Sequence, residues 1–327
     1  MADYTIDSFL AQTRYVHRND GSNGVFTEQA TTAVLSEVFR QKYEGMKYVG
    51  GGLMPLDTSA GAGALAVAWD DTSYTSDNGD GFVSDVATDV GTVNVALERN
   101  SNPVHTLARA YTYSDEELET ARMGNYDPIV DKASRTREDW ERKLNDAIRF
   151  GVPALGFDGF YRNPNLTVET AVTGTWSAAT ADQIVTDFAA AVNAIRTNTD
   201  GVSEPNTVVM DLPTWNRLEE LQKSVASDKN VLQWLRSNYP MITTWAWDFG
   251  LRGQGDGGTG EGRNYTGGSN CLMMYKNDRQ VLRANLPKPM TPKGPRETDL
   301  GWKVIFKGRY AGLAIPRPKE IVRLEGL

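Results

Sequence analysis

From residue 49 to residue 131 the chain has no lysine, and the first part of that stretch, residues 50–106, is a ribbon of Gly, Ala, Thr, Ser and Asp. Strand-like patches occur at 65–69 and 93–97, but there is no helical period and almost no clustering of large apolar side chains. A segment this long that cannot bury itself needs another surface to lie on. Directly after it comes a charged, amphipathic helix pattern. An arm that needs a neighbour, hinged on a long helix, suits a subunit of an assembly better than the wall of an active-site pocket.

Charge sharpens that reading. The 327 residues carry a formal net charge of -8, which argues against a broad basic surface for sequence-independent DNA binding. Its distribution is uneven. Residues 50–106 hold eight acids (Asp57, Asp70, Asp71, Asp77, Asp80, Asp85, Asp89 and Glu98) against Arg99, a net of −7. Residues 276–327 hold twelve bases and five acids, a net of +7. One reading is two separately solvated surfaces. The other is that the acidic ribbon of one copy lies on the basic C-terminal region of another, with Asp70, Asp71, Asp77, Asp80, Asp85, Asp89 and Glu98 facing Lys303, Lys307, Arg309, Arg317, Lys319 and Arg323.

Local signals mix helices and strands without a strict alternation, which predicts an α+β fold. A short helix is expected over 27–43. Asp77-Asn-Gly-Asp-Gly81 signals a hairpin turn between strands at 62–75 and 82–99. Ser114 with Glu117 forms a capping box, and Asp127-Pro128 restarts a helix that runs about 23 residues, roughly 35 Å, to Phe150. Thr180 with Gln183 caps a further helix, Asp211 another, and Ser227-Asp228 a third. Strands are expected at 206–210, 242–247, 271–276, 281–284, 302–306, 312–315 and 319–324, with a glycine-rich loop over 248–270. No apolar run reaches the ~18–20 residues of a membrane span. The N-terminus shows no secretory signal, so the Asn165-Leu-Thr and Asn264-Tyr-Thr matches to a glycosylation site are read as chance.

Catalytic signals are sparse. Only His17 and His105 exist, neither with a metal-ligand partner at the right spacing, and no metal or other cofactor is expected. Cys271, the single cysteine, sits in an apolar strand pattern and excludes an internal disulfide, consistent with a reducing cytoplasm. Gly253-x-Gly255-x-x-Gly258 matches the dinucleotide fingerprint in letters, but glycine-rich sequence follows where a helix is required, so a mobile loop is expected. Residues 77–81 lack the acid spacing of a calcium loop.

The order of these parts resembles the major capsid proteins of tailed bacteriophages, the Hong Kong 97-type fold shared with encapsulin shells. The similarity runs over nearly the whole chain as architecture, without a catalytic motif. Residues 1–49 resemble the N-terminal arm with its short helix, 50–106 the E-loop, and 107–180 the peripheral (P) domain with its spine helix. Residues 181–290 resemble the axial (A) domain, where Asn206-Thr-Val-Val-Met-Asp-Leu-Pro matches a strand feeding a short helix. Residues 291–327 resemble the return strands of the P domain, most specifically from Lys303-Val-Ile-Phe-Lys-Gly-Arg-Tyr onward.

The resemblance implies a structural, non-enzymatic protein. It would form hexamers and pentamers of an icosahedral head around double-stranded DNA, with the E-loop over a neighbour's P domain. It also implies portal and scaffolding or decoration proteins as partners, no membrane, and assembly in a bacterial host's cytoplasm. An encapsulin-like shell around protein cargo, and a soluble oligomeric hydrolase using His105, stand as alternatives. Some members of the family crosslink an E-loop lysine to a neighbour's asparagine. This ribbon has no lysine to do so.

Overall fold

Residues 46–50, 52–76, 92–124, 128–224 and 228–327 are described by a computed structural model of the chain; the helix expected over 27–43 and the turn at 77–81 lie outside them. By compactness the chain divides into residues 1–44 and 45–327. All the architecture below belongs to the second unit.

After β1 (Leu56–Asp57) comes the ribbon. Strands β2 (Ala66–Ser76) and β3 (Val93–Pro103) pair antiparallel without a bulge, from Ala66 opposite Pro103 to Ser76 opposite Val93. The residues that join them, 77–91, and with them the expected start of the second strand at 82, lie outside the described residues.

Strand β4 (His105–Ser114) was not expected. It ends at Ser114, whose Oγ accepts the Glu117 N–H at 3.1 Å and so caps α1 (Asp115–Gly124). The long helix α2 (Pro128–Phe150) keeps its predicted bounds. Gly151 ends it at φ 74, a left-handed turn that folds the short pair β5 (Gly151–Val152) and β6 (Phe157–Asp158) back on the helix end.

Strand β7 (Thr167–Thr170) precedes α3 (Ala181–Asn198), which has both halves of the Thr180/Gln183 capping box. Next come β8 (Thr207–Met210), α4 (Leu212–Glu220) capped by Asp211, α5 (Val231–Asn238) and β9 (Thr244–Trp247). The cap of α5 is Asn230 rather than Ser227-Asp228, and its side chain accepts the Gln233 N–H.

The remaining strands are β10 (Cys271–Tyr275), β11 (Arg283–Asn285), β12 (Lys288–Pro292), β13 (Arg296–Thr298), β14 (Gly301–Tyr310), β15 (Leu313–Ala314) and β16 (Ile321–Glu325). Strand β11 is flanked by β1 and β15 in a small three-stranded sheet.

Two larger sheets organise the subunit. The five-stranded sheet runs β7-β16-β10-β8-β9 and is mixed, with β7 and β9 parallel to their neighbours and the interior pairs antiparallel. Its central strands are buried on both faces, which explains their continuous apolar sequences. Val209, Cys271, Met273, Tyr275 and Ile321 face one core with Trp140, Leu144 and Ile148 of α2. Val208, Met210, Leu272, Met274, Val322 and Leu324 face a second core with α3, α4 and α5. Boundaries at 180/181 and 290/291 cut across this sheet, because β7 and β16 both belong to it.

The other sheet centres on β14, which pairs with β4 along its whole length and with β12 and β13 on its far edge. Alternation sorts its faces. Val304, Phe306 and Tyr310 are buried, and the Trp140 indole N–H donates to the Leu107 carbonyl at 2.9 Å, fixing that face on α2. Gly308 is required there, since a Cβ would stand 2.4 Å from a Trp140 ring carbon.

Candidate inter-subunit surfaces

The outward face of the β4/β14 sheet combines a low floor with cations. Strand β4 contributes Thr106, Ala108, Ala110 and Thr112, opposite Arg309, Lys307, Ile305 and Lys303 of β14 in register. Lys288 and Arg296 are the partners of Arg309 and Lys303 and share that face. No carboxylate among the described residues pairs with Lys303 or Lys307. Arg309 donates to the Ala62 carbonyl at 2.7 Å, pinning the lead-in of its own chain's ribbon.

The rest of the basic set is elsewhere. Arg317 pairs with Glu320 at 3.4 Å, and Lys319 is exposed in the turn before β16. Arg323, an expected surface residue, is only 8% exposed. Its guanidinium meets Glu325 at 2.6 Å and donates to the Tyr161 carbonyl at 2.7 Å, because residue 323 of β16 points into the subunit's own core. Arg323 therefore belongs to the interior rather than to an outward basic face.

The acids also divide. Asp70 takes a two-pronged bond from Arg99 across the ribbon, at 2.7 and 3.0 Å, which holds its carboxyl below the usual range. Asp71 accepts from Asn100 at 2.9 Å, and Glu98, its cross-strand partner, is exposed. Asp77, Asp80, Asp85 and Asp89 lie outside the described residues. Asp57 is internal: partial burial pushes its pKa up, but bonds from Ser59 and the Arg279 and Arg283 charges outweigh that and leave it lowered. Part of the −7/+7 asymmetry is thus neutralised within one subunit.

The ribbon has two chemically different faces. Val67, Trp69, Asn100 and Asn102 face the subunit body: Val67 is buried, and Asn102 donates to the Leu313 carbonyl at 2.8 Å. Beneath them is a polar cleft of about 270 Å³ that also involves Asp158, Asn163 and Asn165. The opposite face carries Val93, Val95 and Leu97, exposed at 65%, 64% and 68%. Sequence reading missed both this stripe and the Ala/Thr floor, whose period of two was the available signal.

Cys271 and His105 both sit in apolar packing. Burial raises the Cys271 thiol pKa far above normal, which keeps it protonated. His105 packs edge-on against Phe157, with ring centroids 5.3 Å apart. Among the described residues, no group of three or more His, Cys, Asp or Glu is placed to hold a metal. The glycine-rich loop is tied to the body by side-chain hydrogen bonds. The Tyr265 hydroxyl donates to the Gly255 carbonyl at 2.6 Å and accepts the Gly258 N–H at 2.8 Å, while Glu325 accepts the Asp256 N–H at 3.1 Å. Arg162 stacks 3.6 Å over the Tyr265 ring.

This architecture has known counterparts. The capsid of Myoviridae phage XM1 superposes with a TM-score of 0.78 at 19% identity, covering 94% of this chain and 100% of that one. The capsid of a native GTA particle matches with a TM-score of 0.63 at 14% identity, over 93% and 99% of the two chains. A virus-like particle from Pyrococcus furiosus matches with a TM-score of 0.53 at 13% identity, over 85% and 96%. No curated protein matches the chain significantly. The fold is therefore the capsid fold of the Hong Kong 97 type. The family model described as major capsid protein matches residues 79–327, which take in the second strand of the ribbon, the long helix and both large sheets, and the chain belongs to that family.

Proposed function

We propose that copies of this structural capsid protein assemble into hexamers and pentamers of an icosahedral phage head that encloses double-stranded DNA without sequence preference. Residues 50–106 act as the E-loop, α2 as the spine of the P domain, and the five-stranded sheet with α3–α5 as the core of the A domain. The observation that carries this reading is the pairing of two incomplete surfaces on one subunit. A ribbon exposed along both faces of its outer part needs a support, and an outward sheet face bearing Lys303 and Lys307 has no acid of its own among the described residues. In a closed shell every copy supplies both, and many weak repeated contacts add up. Portal and scaffolding or decoration proteins complete the head, and assembly takes place in the host cytoplasm. An encapsulin-like shell would use the same fold, and what co-purifies with the particles separates the two.

Gel filtration and negative-stain microscopy of the expressed chain test this reading. Shells, rings or capsomers far above the 36.0 kDa monomer are expected, with nucleic acid rather than an enzyme co-purifying from infected cells. A clean monomer at high concentration would overturn the proposal.

A further inference from the structure

Beside the five-stranded sheet lies a cleft of about 580 Å³ that shell building does not use, and Arg217 of α4 lines it. The Arg217 guanidinium is poorly paired. Its Nε is buried without a hydrogen bond, and Nη2 makes one long bond, 3.4 Å, to the Ala179 carbonyl. No carboxylate among the described residues pairs with it. A partly buried cation in this state gains from any oxyanion it can reach, and its planar fork of donors matches a carboxylate.

The neighbouring donors are held in place. Asp187 of α3, 2% exposed, accepts the Val172 N–H at 3.1 Å and the Trp176 indole N–H at 3.0 Å, which fixes the loop that brings Thr175 and Ser177 to the cleft. Thr214, 4% exposed in the first turn of α4, has a hydroxyl that bonds to no described residue. Pro213 and Leu327 add apolar wall. Glu220, exposed one turn beyond Arg217, lines the same cleft without pairing with it, and its charge repels a dianion more than a monoanion.

We propose that this cleft binds a small organic carboxylate. The single negative charge sits on Arg217 and the Thr175, Ser177 and Thr214 hydroxyls, and an apolar body lies against Pro213 and Leu327. Volume favours such a body, because the cleft falls within the ~300–1,000 Å³ of small-molecule sites and a bare inorganic anion would leave most of it empty. Bound there, the ligand joins the loop before α3 to α4 and to the segment after β16. Every contributing residue belongs to one subunit, so the site does not depend on how copies assemble.

Calorimetric titration of the full-length chain with benzoate, benzamide and inorganic phosphate tests the proposal. Benzoate should bind saturably. Benzamide has the same shape without the charge, phosphate the charge without the apolar body, and each should bind about tenfold more weakly or worse. Arg217→Gln should weaken benzoate by about tenfold or more. Thr214→Val, which keeps the shape and deletes one donor, should weaken it by about threefold or more. Circular dichroism identifies which variants are folded, and the two substitutions probe the site through different chemistry. Absence of saturable benzoate binding, equal binding of benzoate and benzamide, tighter binding of phosphate, or wild-type benzoate affinity in either folded variant would overturn the proposal. None of these outcomes bears on shell formation, which gel filtration reads separately.

Discussion

Buried charges show how single residues tie the subunit together. Arg149, at the end of α2, pairs with Asp248 just beyond β9, so the long helix and the five-stranded sheet share one ion pair. Removing one partner of such a pair leaves a buried charge uncompensated, which makes it a strong constraint even where the intact pair adds little. Asp211 behaves differently. Burial pushes its carboxyl above the usual range, and the bonds it accepts from Thr214 as the cap of α4 only partly pull it back. The folded state therefore binds this proton more tightly than the unfolded chain does. That contribution is complete below the unfolded pKa and declines as pH rises towards the folded value. Asn caps as well as Asp and has no charge to bury. Asp211→Asn should match the wild type to within about 1 kcal/mol at neutral pH, and its advantage over the wild type should grow as pH rises from the unfolded carboxylate value near ~4 towards neutrality. Urea unfolding of both proteins across that range measures the difference, and a trend of opposite sign would show that the Asp211 charge is stabilising.

At the scale of elements, the fit of α2 on the β4/β14 sheet depends on Gly308. Its missing side chain admits Trp140, so Gly308→Ala forces the helix and sheet apart or the indole off its rotamer. Overpacking of this kind costs about 1–3 kcal/mol. The denaturant midpoint should fall accordingly, and an unchanged midpoint would mean the interface has slack. The same pair of elements shows what sequence can and cannot reveal. Pro128–Phe150 was legible to the residue because its start, period and stop are all local. Its partner β4 was not. Thr106, Ala108, Ala110 and Thr112 alternate with Leu107, Arg109, Tyr111 and Tyr113, but the outward residues are small and mark no face until β14 lies alongside. Arg323 reads as surface because arginine usually is, and only the sheet order places it inside.

For the whole molecule, the charge asymmetry has to be recounted once internal pairs are removed. Asp57 is engaged by Arg279 and Arg283, Asp70 by Arg99, and Glu325 by Arg323. Among the described residues, Asp71 and Glu98 remain on the ribbon without an ion pair, with Lys303 and Lys307 on the outward sheet face. Arg309 is a poor probe of assembly, because its bond to Ala62 also holds the ribbon's root. The informative change is Lys303→Glu/Lys307→Glu. Both side chains project from a formed sheet without a carboxylate partner among the described residues, so the subunit's own stability should shift by no more than about 0.5 kcal/mol. Assembly should fall sharply, since like charges would then meet at a repeated contact. Screening gives the signature: added salt weakens wild-type assembly and partly rescues the variant, because the Debye length shrinks from about 10 Å at 0.1 M to about 3 Å at 1 M. Glu98→Lys in the same chain should restore particles at low salt by reversing the charge on both sides of the contact. If the double variant forms normal shells in moderate salt, charge does not orient the ribbon.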